Sequence, residues 1–147
     1  MLYLYEFEII QGEKYLLAFP FDMDGATQGK DIQEVTEMAA DWLRMDIENR
    51  LMHKLDIPKA TFGNEPKEGG RVLAIAIDVD LNRVEKVSAS DAARMLDVSP
   101  PRVTHMIKDG LLEAFKEGHK TWVTLDSVKA RLAEPRKAGR PRKTKSP

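Results

Sequence analysis

The chain of 147 residues contains no cysteine, which excludes disulfides, thiol chemistry and cysteine-ligated zinc sites. Its three histidines are scattered along the sequence, so we expect no metal and no other cofactor. No apolar run approaches the roughly 18 residues that cross a membrane. The first residues lack the basic segment of a secretory signal and reach an acid at Glu6. We therefore expect a cytoplasmic protein with no membrane partner.

Positive charge is scarce in the first part of the chain, and negative charge is scarce in the last. Residues 1–86 hold 10 Lys and Arg against 17 Asp and Glu, whereas residues 87–147 hold 13 against 7. The formal net charge of −1 hides this asymmetry, which indicates different partners for the two halves. Residues 87–135 hold 7 of each sign, so the positive excess lies in the last twelve residues. DNA binding by the folded part would therefore depend on where individual charges lie.

The most informative stretch spans residues 88–131 and predicts, in order, a helix, a turn, a helix, a hairpin and a helix. Ser88 or Ser90 can cap the first helix, because a serine oxygen accepts an otherwise unpaired backbone N–H. Ser99 caps the second helix, and Pro100 suits its first position. The apolar stripes at helical spacing are Ala92, Met95 and Leu96 in the first helix and Val103, Met106 and Ile107 in the second.

The second helix carries a polar and basic face opposite its apolar stripe. At about 100° per residue this face comprises Pro101, His105 and Lys108, flanked by Arg102 and Thr104. The residues that follow predict strands at 111–115 and 121–124 around a turn at 116–120, and Asp126 is expected to cap a last helix. Two short helices with a tight turn and a basic outer face on the second have the geometry that enters a DNA major groove.

The sequence of this region is A-A-R-M-L-D-V-S-P-P-R-V, then I-K-D-G-L-L-E-A-F-K, then a second strand and a short helix. In this pattern it resembles the winged helix-turn-helix of the MerR and phage-excisionase type. The resemblance implies binding of double-stranded DNA, with the second helix in the major groove and the hairpin against the phosphate backbone. The expected DNA-binding residues are Ser99, Arg102, Thr104, His105 and Lys108 on the helix and Lys116, His119 and Lys120 on the hairpin. The alternative is an ordinary three-helix packing unit that binds no nucleic acid.

The tail has six basic residues and no acid after Glu134. Such a composition cannot build a core and predicts disorder in the free chain. Gly139-Arg140-Pro141-Arg142 is similar to an AT-hook, a motif that lies in a narrow A·T minor groove. A fuller hook has arginine before the glycine, where this chain has alanine, so general phosphate binding is favoured over minor-groove recognition. The expected DNA-binding residues of the tail are Arg140, Arg142 and Lys143.

The first half of the chain predicts a small antiparallel sheet with one long helix. Residues 2–10 alternate, and residues 15–19 predict the second strand of a hairpin, with a short third strand at 26–28. The side chains expected on the buried face of the first strand are Tyr3, Tyr5, Phe7 and Ile9. Asp31 is expected to cap a helix that reaches about Lys54, with Glu34 completing a capping box.

Residues 71–79 are apolar on both faces, which predicts a central or covered strand. The order of strands and helix predicts an α+β fold, a small antiparallel sheet with the long helix on one face. Trp42 and Trp122 lie on apolar stripes and are expected in the cores.

Four segments of the first half are Y-L-L-A-F-P at 15–20, G-A-T-Q-G at 25–29, D-I-Q-E-V at 31–35 and A-A-D-W-L at 39–43. Together they resemble the HicB family of antitoxins over roughly residues 1–80. One departure is Asp22-Met23-Asp24, where the family commonly has a proline-containing turn. The resemblance implies a partial RNase-H-like fold, neutralisation of a small mRNA-cleaving toxin called HicA, and repression of the operon through the DNA-binding domain.

We therefore expect a toxin-binding and oligomerisation domain at 1–80, a linker at 81–86, a winged helix-turn-helix domain at 87–133 and a basic tail at 134–147. The expected partners are a HicA-like toxin, double-stranded operator DNA and further copies of the chain, in a homodimer or higher homo-oligomer. No catalytic activity and no catalytic residues are expected.

Two alternatives remain open from the sequence. The first is a stand-alone winged-helix regulator or excisionase-like protein whose front half serves only for dimerisation or ligand sensing. The second is a metal-dependent nuclease, which would gather several carboxylates around metal ions. Its candidate residues are Glu6, Glu8, Asp22, Asp24, Asp78 and Asp80.

Overall fold

The structure is a computed structural model that describes residues 1–134. The chain divides into a first unit, Met1–Arg83, and a second unit that begins at Val84. Within the described residues it has two small antiparallel sheets and four α-helices, so the predicted α+β class is confirmed. No helix in residues 1–134 is long and apolar enough to cross a membrane. Arg140, Arg142 and Lys143 lie outside the described residues.

The first unit is a four-stranded sheet with one long helix. The strand order is β3-β2-β1-β4, and each neighbouring pair is antiparallel. The elements are β1 (Leu2–Gln11), β2 (Leu16–Pro20), β3 (Thr27–Gly29), α1 (Ile32–Met52) and β4 (Arg71–Asp78).

The core of this unit lies between α1 and one face of the sheet. Alternation along β1 places Tyr5, Phe7 and Ile9 on that face, as predicted, and Phe7 is fully buried. The Phe7 ring meets the Trp42 ring edge-on, with centroids 6.0 Å apart. The residues of α1 that are fully buried against the sheet are Val35, Ala39, Leu43 and Ile47.

The start of α1 follows the predicted cap. The Asp31 carboxylate accepts a hydrogen bond from the Glu34 N–H at 2.8 Å. The Glu34 carboxylate in turn accepts from the N–H of Lys30 at 2.9 Å, one residue before the cap. Both bonds satisfy backbone donors that the helix itself leaves unpaired.

The prediction that β4 is a central or covered strand is wrong. β4 is the edge strand of the sheet, and β1 occupies the position between it and β2. Ala74 and Ala76 on its outer face are exposed, while Ile75 and Ile77 on its inner face are buried. Alanine is small enough to tolerate exposure, so Ala74 and Ala76 do not indicate that the outer face is covered.

The second unit packs three helices and a three-stranded sheet of order β5-β7-β6. Its elements are β5 (Lys86–Ser88), α2 (Ala89–Leu96), α3 (Pro100–Lys108), β6 (Ala114–Glu117), β7 (Lys120–Thr124) and α4 (Leu125–Ala133). β5 was not predicted, because a three-residue strand is stabilised by its pairing with the distant β7. Residues 81–86, expected as a linker, contain a short 3-10 turn at Leu81–Arg83 and the first residue of β5.

The helix boundaries of the second unit are set by hydroxyl caps. The Ser88 hydroxyl accepts from the Asp91 N–H at 3.1 Å, and the Ser99 hydroxyl accepts from the Arg102 N–H at 3.3 Å. The cap of α4 is Thr124, which accepts from Ser127, so the expectation that Asp126 caps this helix is wrong. Asp126 lies inside the first turn, where its charge still complements the helix dipole.

The core of the second unit is formed by one apolar face of each helix and by the inner face of the sheet. Val103, Val123 and Val128 are fully buried. Ala92 and Ala93 face this core from α2, whereas Met95 is exposed, which corrects its predicted inward position. Ala93 faces the core in its place, because Ala92, Ala93 and Leu96 lie at positions i, i+1 and i+4 on one face of the helix.

Candidate nucleic-acid interface

α3 has one buried face and one polar, exposed face. Val103 and Met106 are buried. The exposed residues include all four predicted contacts within the helix, Arg102, Thr104, His105 and Lys108. Their spacing along the helix explains this arrangement, because the apolar stripe that packs into the core leaves the remaining positions in solvent.

The N-terminal end of α3 presents hydrogen-bonding groups to solvent. Ser99 is exposed and uses its oxygen lone pair to cap the helix, which leaves its hydroxyl hydrogen able to donate outward. Thr104 donates to the Pro100 carbonyl at 3.4 Å, which leaves its oxygen able to accept and its methyl group exposed. Both side chains therefore keep a hydrogen-bonding group on the exposed face that can contact another molecule.

The basic side chains of α3 are not neutralised within the described residues. None of the ion pairs in residues 1–134 involves Arg102, His105 or Lys108. By contrast, Arg94 pairs with Asp91 and Arg131 pairs with Glu134. The basic side chains of α3 are thus available to an external anion, whereas Arg94 and Arg131 are each paired with an acid three residues away along their own helix.

The hairpin of β6 and β7 carries the other predicted cluster of basic residues. Glu117 pairs with Lys120, so the tip is the two-residue turn formed by Gly118 and His119. Gly118 has a φ of +63°, the conformation that glycine favours at the first position of such a turn. Lys116, His119 and Lys120 are all exposed.

Trp122 does not belong to the core, which corrects the prediction from its apolar neighbours. It lies half-buried in the middle strand of the sheet, on the face away from Val123 and the helices. The Lys120 ammonium lies 4.2 Å from the indole centroid and the Lys86 ammonium lies 5.4 Å from it. These cation–π contacts hold two positive charges beside the hairpin, and Lys86 was missed because β5 was not predicted.

Residues 84–134 have no overall excess of positive charge. Residues 84–134 hold 8 Lys and Arg and 8 Asp and Glu. Within these residues, attraction to phosphates would therefore come from the exposed face of α3 and from the hairpin, which concentrate positive side chains on two elements.

The carboxylates that a nuclease would use are structural in the first unit. Residues 57–70, here called the strap, have no helix or strand. The strap begins at Ile57, which packs against the core on the α1 side, and residues 64–70 bind Glu6 and Glu8 on the opposite face of the sheet. The Glu8 carboxylate, 4% exposed, accepts from the N–H groups of Lys67, Glu68 and Gly70 at 2.9, 2.9 and 3.0 Å. Glu6 accepts from the Asn64 N–H at 2.9 Å. Within residues 1–134 no cluster of three metal-ligating side chains occurs.

Three of the other four acids considered for a nuclease are also engaged, and the fourth, Asp24, is exposed. Asp22 accepts from the Thr61 hydroxyl and N–H at 2.7 and 2.9 Å. Asp78 accepts from the N-terminal ammonium at 3.0 Å, and this hydrogen bond lowers its pKa. Asp80 accepts from the Asn82 N–H at 2.9 Å. Each of these three carboxylates therefore has a local partner that explains its position.

The contacts with the strap lower the pKa values of Glu6 and Glu8. Burial opposes ionisation of Glu8, but the three backbone N–H groups outweigh it and lower its pKa below the ordinary 4.5. The pKa of Glu6 is lowered chiefly by the Asn64 backbone N–H. Both carboxylates therefore stabilise the fold above the unfolded-state pKa, and this stabilisation is lost as pH falls through the lower folded-state pKa.

We expect Glu8→Gln to lower the thermal midpoint of the first unit at pH 7 by about 5 °C or more. The amide keeps one acceptor oxygen but turns an N–H₂ donor toward three N–H donors, which leaves strap groups unpaired. The difference from wild type should shrink as pH falls below 4.5 and disappear below the lower folded-state pKa, where wild-type Glu8 is protonated in the native protein as well. Melts followed by circular dichroism measure both effects.

Glu13→Gln is the matched control, since Glu13 is exposed in the β1–β2 turn. It should leave the midpoint unchanged at each pH. A Glu8→Gln deficit that persists undiminished in acid would contradict the carboxylate's role in holding the strap.

Comparison with protein-family models, with curated proteins and with solved structures finds no match to this chain.

Proposed function

We propose that the chain is an antitoxin of HicB type that also represses its own operon. In this proposal the first unit binds and neutralises a small mRNA-cleaving toxin similar to HicA. The second unit is a winged helix-turn-helix that binds double-stranded operator DNA. The observation that best supports DNA binding by the second unit is the exposed polar face of α3. Its basic side chains form no ion pair within the described residues.

The dimensions of α3 suit the role of a recognition helix. Its 9 residues span about 14 Å, and a B-DNA major groove admits a helix of that size. Arg102 and Lys108 can donate to guanine, and Thr104 can contact a thymine methyl group or a base acceptor. Ser99, whose hydroxyl can donate outward, suits a backbone phosphate.

The hairpin is suited to act as the wing of the proposed winged helix-turn-helix. Its exposed residues at the tip, Lys116, His119 and Lys120, suit the phosphate backbone beside the groove. Operators read by helix-turn-helix proteins commonly have two-fold symmetry, so we propose that the chain acts as a homodimer or higher homo-oligomer.

The toxin-binding half is supported by the order of elements and by charge. The first unit runs strand, strand, strand, capped helix, strand, which is the layout that the HicB resemblance implies. It carries 9 Lys and Arg against 16 Asp and Glu, and this negative charge would complement a basic toxin.

One observation favours the alternative of a stand-alone regulator. The outer edge of β4 has no strand beside it within residues 1–134, and such an edge can pair with a second copy of the chain. In that case the first unit would serve only for dimerisation. The presence or absence of a small basic reading frame beside the gene distinguishes the antitoxin from the stand-alone regulator, because only the antitoxin requires such a neighbour.

The salt dependence of DNA binding tests the proposed wing. Each phosphate contact that is lost should reduce the slope of log K against log salt by about 0.9. We therefore expect Lys116→Ala and Lys120→Ala each to flatten the slope by about one unit, with similar effects on all DNA sequences. Fluorescence anisotropy with promoter DNA from upstream of the gene, between low and moderate salt, measures this.

Lys129→Ala on α4 is the control, because Lys129 is an exposed lysine of the same unit outside the proposed interface. If Lys129→Ala flattens the slope as much as the hairpin variants do, binding is diffuse and the wing has no special role.

A further inference from the structure

The sheet of the first unit has a pocket of about 340 Å³ on the face opposite α1. Phe19 and Glu8 are register partners across β2 and β1 on this face, and the strap forms the other side. The residues that line it include Glu8, Ile10, Phe19, Phe21, Lys67 and Glu68. This pocket has no role in DNA binding as proposed above.

Hydrogen bonds and close backbone packing fix the walls of this pocket. The Glu8 carboxylate fixes the strap through three backbone N–H groups, so the wall that carries Lys67 and Glu68 is anchored at its base. Gly70 lets the strap approach β1 closely, since a Cβ there would lie 2.3 Å from the Ile9 carbonyl oxygen. A partner would meet a preformed concave surface, which reduces the entropy lost on binding.

The lining is apolar and accessible. Phe19 is 38% exposed although it lies in the middle of the unit's sheet. The Lys67 ammonium lies 5.6 Å from the centroid of Phe21, so this ring already attracts a cation. An accessible aromatic lining in a fixed concavity suits an aliphatic or aromatic anchor side chain.

An acidic pocket of about 350 Å³ adjoins the apolar one and shares Phe21 with it. Asp22 and Asp24 line it, and Asp24 is exposed. The one basic residue among its lining residues is Arg50, whose guanidinium is already bound to the Asp46 carboxylate at 2.7 Å. With 16 acids against 9 basic residues in the unit, this surface attracts cations and repels phosphates.

We propose that these adjoining pockets form the docking site for a basic protein partner. One aliphatic or aromatic side chain of the partner enters the pocket beside Phe19, and a lysine or arginine lies against Asp24. The inference rests on the proposed function in one respect, since the partner would be the toxin. Nucleic acid does not suit the site because of its charge.

The test uses the full chain and two defined probes. The first is a short fluorescein-labelled peptide rich in lysine with a single central leucine, and the second has serine in place of that leucine. The leucine peptide should bind the wild-type chain at least about tenfold more tightly than the serine peptide. Phe19→Glu and Asp24→Lys should each weaken binding of the leucine peptide by about tenfold or more.

Met45→Glu is the matched control for Phe19→Glu, because Met45 is an exposed apolar residue on α1 and acquires the same charge. It should leave peptide binding unchanged or slightly tighter. Thermal melts of each variant confirm that the first unit remains folded. Equal binding of the two peptides, no detectable binding of the leucine peptide, or an unaltered affinity of Phe19→Glu would each overturn the proposal.

The outcome is separable from that of the proposed function. If Phe19→Glu still neutralises a toxin, the antitoxin function stands and the docking site is wrong. If the chain binds the leucine peptide through Phe19 but neutralises no toxin, the docking site stands and the partner belongs to another class of basic protein.

Discussion

Replacing His105 and Lys108 together by alanine should weaken operator binding by at least about 30-fold. Both side chains are exposed on the face of α3 opposite Val103, so the change removes contacts with DNA and leaves the core intact. A side chain that contacts a base edge contributes about 1–3 kcal/mol of discrimination, and two such losses give at least this reduction. Anisotropy titrations of promoter DNA and of a scrambled duplex at one salt concentration measure the specific part.

The control for this variant is again Lys129→Ala, which removes a positive charge from the same unit outside α3. Operator affinity should change little with that substitution. If His105→Ala/Lys108→Ala binds the operator as tightly as wild type, α3 does not read the DNA, and the proposal for the second unit fails.

Phe7→Ala should destabilise the first unit by about 3–5 kcal/mol. Phe7 is fully buried in the middle of the sheet and packs edge-on against Trp42, so its removal leaves a cavity between the sheet and α1. A loss of this size is a large part of the roughly 5–15 kcal/mol that holds a typical domain folded. Urea or thermal unfolding followed by tryptophan fluorescence and circular dichroism measures the change.

The second unit has its own core, so its unfolding transition should be unaffected by Phe7→Ala. Leu4→Ala is the matched control on the same strand, because Leu4 lies on the opposite face and is 37% exposed. Its expected effect is less than about 1.5 kcal/mol. Equal destabilisation by the two substitutions would contradict the assignment of the core to the α1 side of the sheet.

Local sequence signals predicted most elements of the fold. Alternation identified the buried face of β1, and Asp31 marked the start of α1, because both signals depend on residues close together in the chain. The position of β4 at the edge and the existence of β5 could not be predicted in this way. Both depend on pairings between residues that are far apart in sequence.

The exposed face of α3 could also be predicted, because helical spacing alone separates Val103 from Lys108. The role of Glu8 could not, since its partners are backbone N–H groups that any residue type supplies. Alternation placed Glu8 on a face expected to meet solvent, and only the strap covers it. The pocket beside Phe19 was missed for the same reason, as one of its walls is an irregular segment.

Growth of cells that express the small reading frame adjacent to the gene tests the central claim most directly. The account predicts that this product alone arrests growth, that the full chain restores growth and co-purifies with it, and that the His105→Ala/Lys108→Ala variant restores growth without repressing the promoter. Loss of protection and repression together in that variant would contradict separate toxin-binding and DNA-binding units. Absence of both toxicity and a complex would contradict the antitoxin proposal itself.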